Sequence, residues 1–161
     1  MTVQLRPLHT ASGSGKALWG PGDLYTYLVT GEQSGGALFA MEADVPDGGG
    51  PPPHIHARED ETLYILDGEL EVQLGAEVRI VSKGDYVWLP KGVPHRFTNF
   101  SGKPMSMILS FMPAGIEHFF EEVFEAVDDR SAEPPPVTPE LIERLLAAAP
   151  RYGLEFLQPG H

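Results

Sequence analysis

Apolar and polar residues alternate with a period of two through much of the first 112 positions. Ala37, Phe39, Met41, Ala43 and Val45 share one side of the run Ala37–Val45, as the pleat of a half-buried strand demands. Glu61, Leu63 and Ile65 share a side of Glu61–Leu66. Leu70, Val72 and Leu74 alternate with Glu69, Glu71 and Gln73, and Met105, Met107, Leu109 and Phe111 repeat the pattern. Shorter β runs are Leu24–Thr30, His54–His56, Glu77–Val81, Tyr86–Leu89 and Val93–Phe100. Turn formers separate them: Gly31–Gly36, Pro46–Pro53, Asp67-Gly68, Gly75-Ala76, Lys83-Gly84-Asp85 and Pro90-Lys91-Gly92. About eight or nine short strands at this spacing predict an all-β sandwich or barrel. No helical crossover is visible before residue 114, which argues against parallel βαβ units.

The period then changes. Ile116, Phe119, Phe120, Val123, Phe124 and Val127 form one stripe of Ile116–Asp128, with Glu121, Glu122 and Glu125 off it, which predicts an amphipathic helix. A proline-rich connector, Ser131–Pro136, follows. Thr138-Pro139-Glu140 reads as a helix start, with Thr138 as N-cap and Pro139 in the first turn. Leu141, Ile142, Leu145, Leu146 and Ala149 form the apolar face, and Gly153 suggests a stop. The expected division is 1–113 for a β-barrel with its lead-in, and 114–161 for a helical extension packed on the barrel or on a partner subunit. His118, beside the apolar stripe, reads as a surface residue.

Composition narrows the function. At 161 residues, with 42% hydrophobic and 21% charged residues, the chain fits one globular domain. Its net charge of −12 repels phosphate backbones and anionic lipid, so neither nucleic acid nor membrane is an expected partner. The absence of cysteine excludes disulfides and thiolate chemistry. Residues 1–10 lack an apolar core of signal-peptide length, and no run reaches the roughly 18 apolar residues of a membrane span, so a cytoplasmic location is expected. Ala11–Lys16 resembles a phosphate loop only in composition. Its spacing is wrong and no strand precedes it, so a plain loop is the better reading.

The candidate chemistry lies between Gly48 and Asn99. His54 and His56 are two apart, so on a strand both side chains face the same way while Ile55 faces the other. Glu61 follows five residues later, and His95 sits in a second turn-rich strand. A lone H-x-H is more often a pair of ordinary histidines. Joined by Glu61 and His95, it makes three imidazoles and one carboxylate, a donor set suited to a divalent transition metal (Mn, Fe, Co, Ni, Cu or Zn) rather than to Ca or Mg. Four protein ligands on an ion that prefers five or six leave a position open for a small-molecule substrate.

These residues carry a family resemblance. G-x5-H-x-H-x4-E-x6-G falls on Gly48, His54, His56, Glu61 and Gly68, and G-x5-P-x-G-x2-H-x3-N falls on Gly84, Pro90, Gly92, His95 and Asn99. The pair resembles the two-part signature of the cupins. That resemblance implies a jelly-roll β-barrel with His54, His56, Glu61 and His95 as metal ligands, and often a homodimer. The tail, with Pro113–Glu122, a Pro-rich linker, a second helix and Arg151–Phe156, is similar to that of single-domain flavonol (quercetin) dioxygenases and their relatives.

The likeness implies a metal-dependent dioxygenase of an aromatic or enediol-like hydroxy compound. Glu61 would serve as ligand and catalytic proton acceptor, with Phe97, Met107, Leu109 and Phe111 as an apolar wall where they face inward. Cupins also include isomerases, lyases and non-catalytic binders, so fold alone does not select among them. An isomerase or lyase of a small charged carbonyl compound would want inward Arg or Lys. Arg58, Arg79, Lys91 and Arg96 lie near the motifs, but alternation turns Arg96 away from the ligands.

Overall fold

A computed structural model describes residues 4–158. In chain order its elements are β1 (Ala17–Trp19), β2 (Leu24–Val29), a single helical turn α1 (Gly31–Ser34), β3 (Phe39–Val45), β4 (His54–His56), β5 (Asp60–Asp67), β6 (Glu69–Leu74), β7 (Glu77–Ser82), β8 (Tyr86–Leu89), β9 (His95–Thr98), β10 (Met105–Met112), α2 (Glu117–Val123), β11 (Glu125–Ala126), α3 (Pro139–Ala148) and β12 (Leu154–Phe156). A 3-10 turn, Ala149–Tyr152, joins α3 to β12.

The strands form two antiparallel sheets, one in the order β11-β1-β2-β3-β10-β5-β8 and the other β12-β4-β9-β6-β7. Together they make an all-β jelly-roll barrel. The period-two pattern sets its interior. Phe39, Met41, Ala43 and Val45 from β3, Leu63 and Ile65 from β5, Leu70 and Val72 from β6, and Met105, Met107, Leu109 and Phe111 from β10 are all buried. The strands meet in register, with Leu109 opposite both Met41 and Leu63 and Phe111 opposite both Phe39 and Glu61. Asp67-Gly68 makes the expected reversal between β5 and β6. Gly68 takes φ 87°, and a Cβ there would come within 2.7 Å of the Met105 Cβ.

Three features differ from the period-based reading. The lead-in carries a strand, β1, whose three residues pair with β2 on one side and whose Leu18 and Trp19 pair with β11 on the other. Its weak pattern hid it, because three residues carry no readable period even though Ala17 and Leu18 are buried. The predicted helix over Ile116–Asp128 is shorter. It ends where Phe124 turns extended (φ −106°, ψ 156°), and Trp19↔Glu125 and Leu18↔Ala126 then complete the sheet edge. Two paired residues at an open edge satisfy backbone groups that another helical turn would otherwise satisfy. Finally, the chain after Gly153 forms β12, a strand that no sequence pattern marked.

The start of α3 follows its sequence signal. The Leu141 amide donates to Thr138 Oγ1 at 3.2 Å, and Pro139 opens the helix. His118 is exposed. Among the described residues, no helix is long and apolar enough to cross a membrane.

Candidate metal centre

The centre joins the two sheets. His54 and His56 lie on β4, and His95 opens β9 directly opposite His54. Glu61 comes from β5 in the facing sheet. All four are buried, and each offers a donor atom within 4.8 Å of the others. The rings pack against one another, with centroid separations of 4.3 Å for His54–His95, 4.9 Å for His54–His56 and 5.5 Å for His56–His95.

Local structure fixes this convergence. The Pro46–Pro53 segment turns sharply at Gly50, where φ is 132° and a Cβ would fall 2.0 Å from the Phe97 carbonyl oxygen. Only glycine fits so close to β9, and the approach brings β4 alongside β9. Asn99 clamps the same turn. Its backbone N–H donates to the Gly49 carbonyl (2.9 Å), and its carbonyl accepts from the Gly48 N–H (2.6 Å). Its side-chain amide donates to the carbonyls of Val45 (3.1 Å) and Lys103 (2.7 Å). The Gly92 N–H donates to the His56 carbonyl at 2.8 Å. These backbone bonds tie the turns of the two sequence motifs to one another.

Each imidazole is oriented through Nδ1. His54 Nδ1 lies 2.9 Å from the Pro52 carbonyl, His95 Nδ1 3.1 Å from the Val93 carbonyl, and His56 Nδ1 2.7 Å from Glu59 Oε1. With its one proton at Nδ1, a neutral ring would have the Nε2 lone pair free for an ion. Nε2 of His95 and of His56 stand 3.0 Å and 3.2 Å from Glu61 Oε2. Two donors that share an ion at right angles, each about 2.1 Å from it, are about 3.0 Å apart. The donor set and its spacing therefore fit a divalent transition metal. Glu59, buried three residues after His56, touches a ring of the cluster but belongs to neither sequence motif. Its signal was local: an acidic residue at i+3 beyond a tight bend.

Electrostatics follow from burial. Desolvation pushes His54 down to about 3, helped by His95 and His56 beside it. Desolvation also opposes charge on His56, but the hydrogen bonds to Glu59 and Glu61 outweigh it and raise His56 to about 9. Burial alone would raise Glu61. The hydrogen bonds from His56 and His95 overcome it and hold the carboxyl well below the usual carboxylate range.

The cluster opens into a cavity of about 460 Å³, within the usual size range of small-molecule sites. From the barrel, Met41, Phe97, Leu109 and Phe111 line it; Met107 is buried elsewhere in the core. The tail supplies the rest of the wall: Phe119, Phe120 and Phe124 from the α2 region, Ile142, Leu145 and Leu146 from α3, and Leu154 and Phe156 from β12. β12 pairs directly with β4, Leu154 opposite His56 and Phe156 opposite His54. Among the described residues no Lys or Arg lines the cavity. Arg96 instead donates to Glu71, Gln73 and Thr98 on the outer side of its sheet.

Comparison with known proteins agrees with this picture. The chain is 27% identical over 154 residues to quercetin 2,3-dioxygenase of Bacillus subtilis, covering 94% of this chain and 44% of the relative. It is 35% identical over 104 residues to quercetin 2,3-dioxygenase of Aspergillus japonicus, covering 60% of this chain and 29% of that one. The chain thus spans less than half the length of either relative. Among solved structures, an RmlC-like cupin from Shewanella frigidimarina superposes with a TM-score of 0.58 at 20% identity, over 71% of this chain and 99% of the other. The family described as the cupin domain matches residues 41–111, the stretch that contains all four clustered side chains. Residues 41–111 therefore carry a cupin domain.

Proposed function

We propose that His54, His56, Glu61 and His95 bind one divalent transition metal and that the protein is a dioxygenase acting on an aromatic or enediol-like hydroxy compound. The observation that carries this reading is the union of an N₃O donor set with an aromatic-walled cavity that no cation lines. The two relatives named quercetin 2,3-dioxygenase support it. A bound metal would supply an acid that increases the acidity of a substrate hydroxyl, and an open position for a small ligand.

The chain's own residues do the remainder. Phe111, Phe119 and Phe120 offer ring faces and edges to a flat substrate and exclude water. Glu59 holds His56 in one tautomer and orientation. Glu61, the carboxylate of the cluster, accepts the proton that the substrate hydroxyl gives up. The isomerase or lyase alternative gains nothing from the cavity, because a small charged substrate would face no Lys or Arg there.

The division at residue 113 belongs to the same proposal, with 1–113 as the barrel and 114–161 as the cover of its cavity. The expected homodimer has a candidate face. Tyr64, Tyr86 and Trp88 are exposed on the outer side of the seven-stranded sheet, with Tyr64 directly opposite Tyr86. The functional test is oxygen uptake by metal-loaded protein across a series of flavonols and enediols. Turnover that requires O₂ is expected. Turnover at an equal rate without O₂ would refute the dioxygenase, and binding without turnover would leave a ligand-binding cupin.

A further inference from the structure

One buried ionisable group in the cavity wall has no part in the metal centre. Asp23 closes the turn between β1 and β2, where its carbonyl accepts from the Gly20 N–H at 2.9 Å. It is 2% exposed and lines the same cavity as His54, His56 and Glu61. Its Oδ2 accepts from the Tyr25 hydroxyl at 3.1 Å. Its Oδ1 has no hydrogen-bond partner, the one such buried side-chain atom among the described residues.

The surroundings keep this pair in place. A Cβ at Gly20 would fall 2.3 Å from the Tyr25 ring, and one at Gly49 would fall 3.0 Å from Asp23 Oδ1. Tyr25 also packs on Phe120 and Phe124 of the cavity wall, at centroid separations of 5.7 and 5.9 Å. A buried carboxyl with one neutral partner is a poor structural device, since an apolar residue would cost less there. It is a good recognition device, because a ligand hydroxyl can complete its hydrogen bonding.

We propose that Asp23, held by Tyr25, is a second polar anchor of the substrate site, binding a hydroxyl group other than the one presented to the His/Glu cluster. This rests on the reading of the cavity as a substrate site and narrows it. The preferred ligand is a polyhydroxylated aromatic compound with hydroxyl groups at two separate positions. Apolar side chains hold the rings between the two polar groups. A ligand with a single hydroxyl leaves Asp23 Oδ1 unpaired and binds more weakly.

The test is a fluorescence titration of the protein as purified with 3-hydroxyflavone, which has one hydroxyl group, and with tri- and pentahydroxylated flavonols. A buried hydrogen bond to an acidic group corresponds to about tenfold in affinity. The wild type is therefore expected to bind at least one polyhydroxylated flavonol about tenfold more tightly than 3-hydroxyflavone. Asp23→Ala should abolish that preference and leave 3-hydroxyflavone within about twofold of its wild-type affinity. Tyr25→Phe should reduce the preference, and unchanged melting temperatures would exclude unfolding as the cause. Asp23→Val, which has no polar atom to offer a hydroxyl, serves as the second variant if Asp23→Ala does not fold, and should likewise abolish the preference. A preference undiminished in the Asp23 variants overturns the inference, as does a wild type that binds none of the flavonols or ranks them alike. Oxygen uptake by the metal-loaded protein, measured in parallel, separates the two readings. An Asp23-dependent preference without oxygen consumption refutes the dioxygenase and keeps the anchor. Oxygen-dependent turnover with an Asp23-independent preference does the reverse.

Discussion

Asp23→Asn should stabilise the protein at neutral and alkaline pH and leave it unchanged near pH 4. Burial raises the Asp23 carboxyl from 3.8 to about 7, and the Tyr25 hydrogen bond offsets only part of that rise. Between those two values the unfolded chain has lost the proton while the folded chain still holds it. The folded state then binds more protons, so unfolding becomes easier as pH rises. Above pH 7 both states are ionised and the full cost remains. At 1.36 kcal/mol per pH unit, a displacement from 3.8 to about 7 amounts to at most about 4 kcal/mol. Asparagine has the shape and hydrogen-bonding capacity of the neutral acid but never ionises. The stability difference between variant and wild type should therefore be near zero at pH 4, grow through pH 5 and 6, and level off above pH 7. Urea unfolding followed by circular dichroism, with chelator in both samples, measures it at each pH. Because Glu61 and the histidines are common to both proteins, their titrations largely cancel in the difference. A difference that stays flat with pH, or a variant less stable than wild type at pH 8, would refute the reasoning. Either result would mean that Oδ1 is solvated in solution.

The metal centre yields three further predictions. His95→Ala or Glu61→Ala should sharply lower the metal content measured by elemental analysis while far-UV circular dichroism stays that of the barrel; undiminished occupancy in both would count against the assigned ligands. Glu59→Gln removes the carboxylate that orients His56 and should weaken metal affinity by roughly 10- to 100-fold in a competition titration with a chromogenic chelator. Gly50→Ala puts a methyl group where the Phe97 carbonyl stands, so it should lower both melting temperature and metal occupancy, whereas Gly75→Ala, at a left-handed turn with open space around it, should lower only the former.

Much of this arrangement was legible in residue order, for identifiable reasons. Strand interiors announced themselves because one inward face imposes a period of two, as at Leu70 and Val72 or Met105 to Phe111. The four clustered side chains were legible because their spacing sits inside turn chemistry that only a few backbone paths satisfy. Elements held by an edge were hidden. β11 and β12 owe their form to partners far along the chain, β1 takes one of its two partners from there, and strands of two or three residues carry no periodic signal. Asp23 was hidden for a related reason. Its carboxyl is unusual only once β2 and the Gly48–Pro53 turn enclose it, and nothing about an aspartate after Pro-Gly suggests burial. The tail's apolar face was readable as a face, but its target was not. Ile142 and Leu146 remain exposed at the rim of the cavity although they continue the same stripe.

The pairing of β12 with β4 has a consequence for synthesis. A ribosome releases the chain from its N-terminus, so residues 54–95 emerge well before the final strand can dock on them. During that interval the nascent barrel lacks Leu154 and Phe156, which stand beside the imidazoles of β4 in the finished fold. An ion captured then would need no later path through the aromatic rings, so under the proposed metal binding the surrounding metal pool at the moment of translation would be written into the finished molecule.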